Sequence, residues 1–120
     1  MPDAAERRLQ RIGVIDIGSN SVRLVVFDGM ARSPAYFYNE KVLAGLGAGL
    51  KETGKLSADG VRRAMTTLRR FAGLAERMQL SDVKAVATAA VRNARDGSDF
   101  VAAVERETGL HVHVASGDEE

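Results

Sequence analysis

The chain has 120 residues, 45% of them hydrophobic and 28% charged, enough for one globular domain with a real core. A formal charge of +1 excludes the broad basic excess of a general nucleic-acid or membrane-surface binder. The absence of cysteine excludes disulfides and thiolate metal sites and fits a cytoplasmic protein, and no apolar run approaches the length of a membrane span.

Residues 1–11 are polar and charged, without the hydrophobic segment of a secretory signal, and read as a flexible tail. Residues 12–17 read as a strand that is apolar on both faces and therefore central. Residues 22–28 read as a second strand, joined by a connection too short for anything but an antiparallel pair. Between them lie Gly18, Ser19, Asn20 and Ser21, with very little side-chain bulk. Backbone N–H groups and hydroxyls in such a turn can close around an anion as a phosphate nest. Asp16, near the end of the first strand, could hold a divalent metal or its water. The same four residues are also ordinary turn formers. The acid just before the turn and the strands on both sides favour a phosphate site.

Residues 31–34 read as a loop, and residues 35–43 as a third strand, more polar and so nearer the sheet edge. Residues 44–56 are glycine-rich. Their Gly45-x-Gly47-x-Gly49 spacing superficially suggests a dinucleotide loop but lacks the strand, turn and helix order, so the segment reads as a flexible connector. Ser57 then caps a helix over about 58–79. Val61, Met65, Leu68, Ala72, Ala75 and Gln79 form its stripe, widened by Ala64, Phe71 and Met78. Arg62, Arg63, Arg69, Arg70 and Arg77 crowd the other side, either as a polyanion track or, more plainly, as a solvated face.

Residues 83–88 read as a fourth strand, parallel to the first if the helix makes the crossover. A second helix covers about 97–108, with Phe100, Val101 and Val104 inward and Gly109 as its stop. Residues 110–115 read as a fifth strand. His111 and His113 share one face of it by its period of two. A metal there would need a third ligand, and none is evident nearby. Ser116 and Glu119 have the spacing of a capping box. The helix that box announces does not follow, so the chain reads as a piece of a longer protein.

The order strand, strand, strand, helix, strand, helix, strand is the α/β, ribonuclease H-like arrangement, with a mixed five-stranded sheet and a truncated final helix. The domain spans residues 12–120 and is expected to be incomplete. Ligands in open sheets gather at the carboxyl ends of parallel strands. Asp16, the segment from Thr88 to Arg92, and residues 116–120 should therefore converge.

Residues 15–24 (Ile-Asp-Ile-Gly-Ser-Asn-Ser-Val-Arg-Leu) resemble the first phosphate motif of the exopolyphosphatase/guanosine pentaphosphate phosphohydrolase family, within the actin-like ATPase superfamily. Three further stretches agree in order: Gly47-Ala48-Gly49-Leu50 through Gly54-Lys55-Leu56-Ser57, residues 87–94 (Ala-Thr-Ala-Ala-Val-Arg-Asn-Ala), and Ser116-Gly117-Asp118-Glu119-Glu120. The resemblance implies removal of the terminal phosphate from inorganic polyphosphate or from guanosine pentaphosphate, by in-line attack of water with help from Mg2+. It implies that Gly18, Ser19, Asn20 and Ser21 cradle the phosphate, that Arg92 pairs with its oxygens as a planar fork, that Glu120 is the general base, and that Asp16 contacts the metal or its water. A homodimer is implied too.

Phosphoryl transfer needs charge stabilisation and positioning more than covalent work, which suits these residue types. Ser19 or Ser21 as a covalent nucleophile is less attractive, since no histidine or lysine base lies nearby in sequence. Apart from the resemblance, the preferred readings are Arg92 as a structural salt-bridge partner and Glu120 as a solvated terminal acid. The family's second phosphate motif, Asp-x-Gly-Gly-Gly-Ser, and its second lobe are not in this chain. The 120 residues alone are therefore expected to be weakly active or inactive. Two other readings are a stand-alone phosphate-binding regulatory module without turnover and a fragment that pairs through its sheet edge.

Overall fold

The computed structural model describes residues 11–28 and 35–119. The expected tail up to residue 10, the loop at 31–34 and Glu120 lie outside the described residues. Runs of β-branched residues set the first hairpin: Arg11–Ile17 forms β1 and Ser21–Asp28 forms β2. They pair antiparallel, with Ile17 opposite Val22, so the chain reverses over residues 18–20. Ala35–Leu43 forms β3, antiparallel to β2 with one irregularity between Val26 and Phe27. The next strand, β4 (Asp82–Ala87), runs parallel to β1, and β5 (Val112–Val114) runs parallel to β4. The sheet order is β3-β2-β1-β4-β5, which puts β1 at the centre and the more polar β3 at an edge. This is a mixed five-stranded α/β sheet of the ribonuclease H-like, actin-like ATPase class.

The described residues form four α-helices besides the sheet: α1 (Leu50–Thr53), α2 (Ala58–Arg77), α3 (Ala89–Asn93) and α4 (Gly97–Thr108). Ser57 caps α2, its Oγ accepting from the Gly60 amide at 3.1 Å. That helix ends two residues before the expected boundary. The Leu80 amide reaches back to the Ala75 carbonyl, and Gln79 turns left-handed at φ 55°, leaving its side chain exposed rather than in the apolar stripe. α4 has the expected bounds and stops at Gly109, φ 75°.

One face of the sheet is covered. Ile15, Ile17, Leu24, Val26, Ala85 and Ala87 pack under Leu68 and Phe71 of α2 and Phe100 and Val104 of α4. On the other face of β1, Ile12 is 39% exposed and Asp16 is exposed. The strand expected to be apolar on both faces carries an exposed acid, Asp16, on this one. β1 is central by its neighbours, but its alternate residues lie on the side that no helix of the described residues covers. β5 is shorter than expected because Glu105 intervenes. Its Oε2 accepts from the Val112 amide at 2.9 Å and sits 3.1 Å from His111 Nδ1, so His111 falls before the strand. No described helix is long and apolar enough to cross a membrane.

The edge strand is tied to α2 by a polar cluster. Arg70 grips the Glu40 carboxylate through both terminal nitrogens, Nη1 at 2.9 Å, and Tyr38 Oη donates to the same carboxylate. The guanidinium lies 5.2 Å from the Phe71 ring centroid. Hydrogen bonds from Arg70 and then Tyr38 hold the Glu40 carboxyl down to about 2, from an ordinary 4.5. The stabilisation is therefore complete above about pH 4.5 and is lost as pH falls through about 2. Arg70 and Glu40 side chains are 44% and 28% exposed, so solvent screening limits the contribution to less than about 1 kcal/mol. The urea midpoint of the wild type should exceed that of Glu40→Gln by a constant margin at neutral pH. The margin should narrow as pH falls through the acid range; one that stays constant would contradict the assignment.

Candidate functional site

The hairpin turn is held from two sides. The Gly18 amide donates to the Ser21 carbonyl at 2.9 Å, and the Thr88 amide donates to Ile17 O at 3.1 Å, which fastens the turn to the end of β4. No residue from 18 to 21 has positive φ, so the segment is a turn without a left-handed residue. Among the described residues, neither the Ser19 nor the Asn20 amide has an acceptor, and both side chains are exposed. Two successive N–H groups, a hydroxyl and a carboxamide are thus open to a ligand.

The glycine-rich segment is not a flexible connector. Its backbone docks on the turn: the Ala44 and Gly45 amides both donate to Asn20 O at 3.0 Å, and the Gly47 amide donates to Ser19 O at 2.8 Å. Ala44, Leu46 and Leu56 are buried, which gives the segment an apolar anchor. Arg63 of α2 donates to the Ala44 carbonyl at 3.0 Å. Close approach explains Gly47, where a Cβ would lie 3.1 Å from Ser19 Cβ and 3.5 Å from Ala90 Cβ.

Turn, loop and helices enclose an open cleft of about 390 Å3, lined by Ser19, Asn20, Gly47, Lys51, Ala90 and Asn93 among others. The size is that of a small-molecule site. Sequence reasoning missed Lys51 and Asn93. The available signal was the interleaving of apolar residues at 44, 46, 50 and 56 with the glycines, a pattern of a packed loop.

The carboxyl ends of the parallel strands do converge. Ile17 O accepts from Thr88, Ala87 O accepts from Ala115 at 2.9 Å, and Arg92 Nη1 donates to Ala115 O at 2.9 Å. Half-buried Arg92 thereby ties α3 to the end of β5. Asp16 projects from the open face of β1, beside the turn but outside the cleft lining. Residues 117–119 form one 3₁₀ turn, and Glu120, the expected general base, lies outside the described residues. His113 is exposed, and no three His, Cys, Asp or Glu residues gather among the described ones. On the arginine face, Arg62 pairs with Asp59, Arg69 with Glu107 and Arg70 with Glu40, which favours a structural role over a polyanion track.

A profile of the Ppx/GppA phosphatase family matches residues 25–120. Exopolyphosphatase 1 of Mycobacterium tuberculosis is 32% identical over 111 residues, covering 92% of this chain and 32% of that protein. The chain thus spans about a third of the length of the curated relatives it matches. Among solved structures, the Ppx/GppA phosphatase of Aquifex aeolicus superposes with a TM-score of 0.85 at 33% identity, over 90% of this chain and 36% of that one. An exopolyphosphatase from Cytophaga hutchinsonii gives 0.84 at 32% identity, over 91% and 35%.

Two glycines of α2 test how tightly the loop is seated. A Cβ on Gly60 would lie 2.7 Å from Gly45 O and 2.9 Å from Leu46 Cα, both backbone atoms. Gly60→Ala should cost about 1–3 kcal/mol through overpacking, outweighing the helix-propensity gain of up to about 1 kcal/mol. A Cβ on Gly73 meets only the Arg77 side chain, 3.3 Å away, so Gly73→Ala should stabilise. Urea midpoints moving in opposite directions are the expected result; stabilisation by both substitutions would contradict the docked loop.

Proposed function

The chain belongs to the Ppx/GppA phosphatase family, and from that premise we propose that it supplies the phosphate-binding part of a phosphohydrolase that releases the terminal phosphate of inorganic polyphosphate. The observation that carries this reading is the turn at Ser19 and Asn20. Its carbonyls are tied down by the 44–47 loop, while its two amides point away from any protein acceptor among the described residues. Donors fixed in advance cost no reorganisation when charge develops on the phosphoryl oxygens, which is the main demand of phosphoryl transfer. Names of relatives such as Exopolyphosphatase 1 favour polyphosphate as substrate; guanosine pentaphosphate offers the same terminal anhydride and is the alternative.

In this reading, residues 18–21 hold the terminal phosphate and Glu120 orients and deprotonates the attacking water. Arg92 positions the end of β5 through its bond to Ala115 O. Magnesium is commonly bound through one or two carboxylates together with substrate phosphates, so a single protein carboxylate suffices for a fit. Asp16, exposed beside the turn, would hold it. When bound there, the ion would neutralise charge on the phosphate oxygens.

The 120-residue chain is expected to bind orthophosphate, with a rise in thermal midpoint, and to turn over polyphosphate slowly or not at all. Asn20→Asp puts a like charge against the anion and should abolish the thermal shift. In the longest product of the gene, the same substitution should lower kcat/KM for phosphate release by at least about tenfold. Unchanged binding and turnover in Asn20→Asp would contradict the reading. Phosphate binding without turnover in that product would favour a regulatory module instead.

A further inference from the structure

We propose that Lys51, with Asn93 of the same cleft, forms a second anion subsite that takes the phosphate next to the terminal one in a phosphoanhydride chain. The inference rests on the reading of the 18–21 turn as the terminal-phosphate site. Lys51 lines the same cleft as Ser19 and Asn20 and makes no ion pair among the described residues. The neighbouring cations are engaged elsewhere: Arg63 on Ala44 O, Arg92 on Ala115 O, and Arg95 on Thr53 O at 2.6 Å.

The lysine is also carried on a braced support. Arg95 donates its amide to Gly54 O at 2.8 Å and its guanidinium to Thr53 O, and Asp96 Oδ1 accepts from the Leu56 amide at 3.0 Å. These bonds fix α1 and the turn after it against the α3–α4 connection, so the backbone bearing Lys51 is set before a ligand arrives. From α3, Asn93 lines the same cleft, while Arg92 reaches Ala115 O after β5. A cleft of about 390 Å3 has the volume of about a dozen liquid waters, room for more than one phosphoryl group. A lone ammonium on a four-carbon stem suits a flexible chain of phosphates, which it meets as a point charge.

The test compares tripolyphosphate with orthophosphate by titration calorimetry on the 120-residue chain. Wild type should bind tripolyphosphate about tenfold or more tightly than orthophosphate, and Lys51→Gln should remove most of that preference, a loss of about 5- to 20-fold, while leaving orthophosphate binding unchanged. Lys51→Arg should restore it. Lys55→Gln, an exposed lysine of the same segment outside the cleft lining, should leave it intact. An unchanged preference in Lys51→Gln, or an equal loss in Lys55→Gln, overturns the subsite but leaves the terminal-phosphate reading standing. Failure of wild type to bind either anion overturns both. GTP run alongside separates the two sources of such a chain: equal dependence on Lys51 extends the subsite to a nucleotide, and dependence for tripolyphosphate alone assigns it to the free polymer.

Discussion

Three backbone hydrogen bonds organise this molecule: those from the amides of Ala44, Gly45 and Gly47 to the carbonyls of Asn20 and Ser19. They join two segments that are separated in sequence by β2 and β3. By occupying Ser19 O and Asn20 O, they fix the two peptide planes that follow Ser19 and Asn20, and the first of these sets the direction of the Asn20 N–H. A tight turn exposed at a sheet end would otherwise sample several conformations, and ordering it around an anion would cost conformational entropy at each binding event. With the loop in place that cost falls on folding instead, which is the physical meaning of preorganisation here.

The loop in turn depends on the core. Leu46 is fully buried, and Gly60 lets α2 come within contact of the Gly45 and Leu46 backbone. The same helix reaches across the sheet to hold the edge strand through Arg70 and Glu40. α2 therefore links the stability of the sheet to the geometry of the turn. Its arginines serve that structural purpose, donating to Ala44 O, Glu40 and Glu107, which accounts for much of a basic face that composition alone left open.

How far the sequence discloses this varies with the range of the interaction. The strands of the hairpin and the helix over 97–108 are legible because local patterns decide them: β-branched runs, an apolar stripe, and Gly109 at a left-handed stop. The parallel placement of β4 follows from the crossover, and with it the meeting of strand ends around Ile17, Ala87 and Ala115. The apolar stripe runs past the end of the helix over 58–77 because Met78 continues it, while Gln79 adopts a conformation that no side-chain pattern announces. The docking of the glycine-rich segment is not legible in the sequence because its partners are distant along the chain. Glycine there reflects close approach to Ser19 and Ala90 as well as freedom to turn. Lys51 and Asn93 come together only in three dimensions, on two helices too short to show a period.

The central claim is that the turn and the docked loop form one prebuilt phosphate site. It is tested most directly by amide-resolved nuclear magnetic resonance of the 120-residue chain titrated with orthophosphate. The account predicts that the Ser19 and Asn20 amides shift most, with smaller shifts at residues 44–51 and 89–93 and none along the arginine face of α2. Shifts confined to that arginine face, or a turn that stays unperturbed at saturating phosphate, would contradict it.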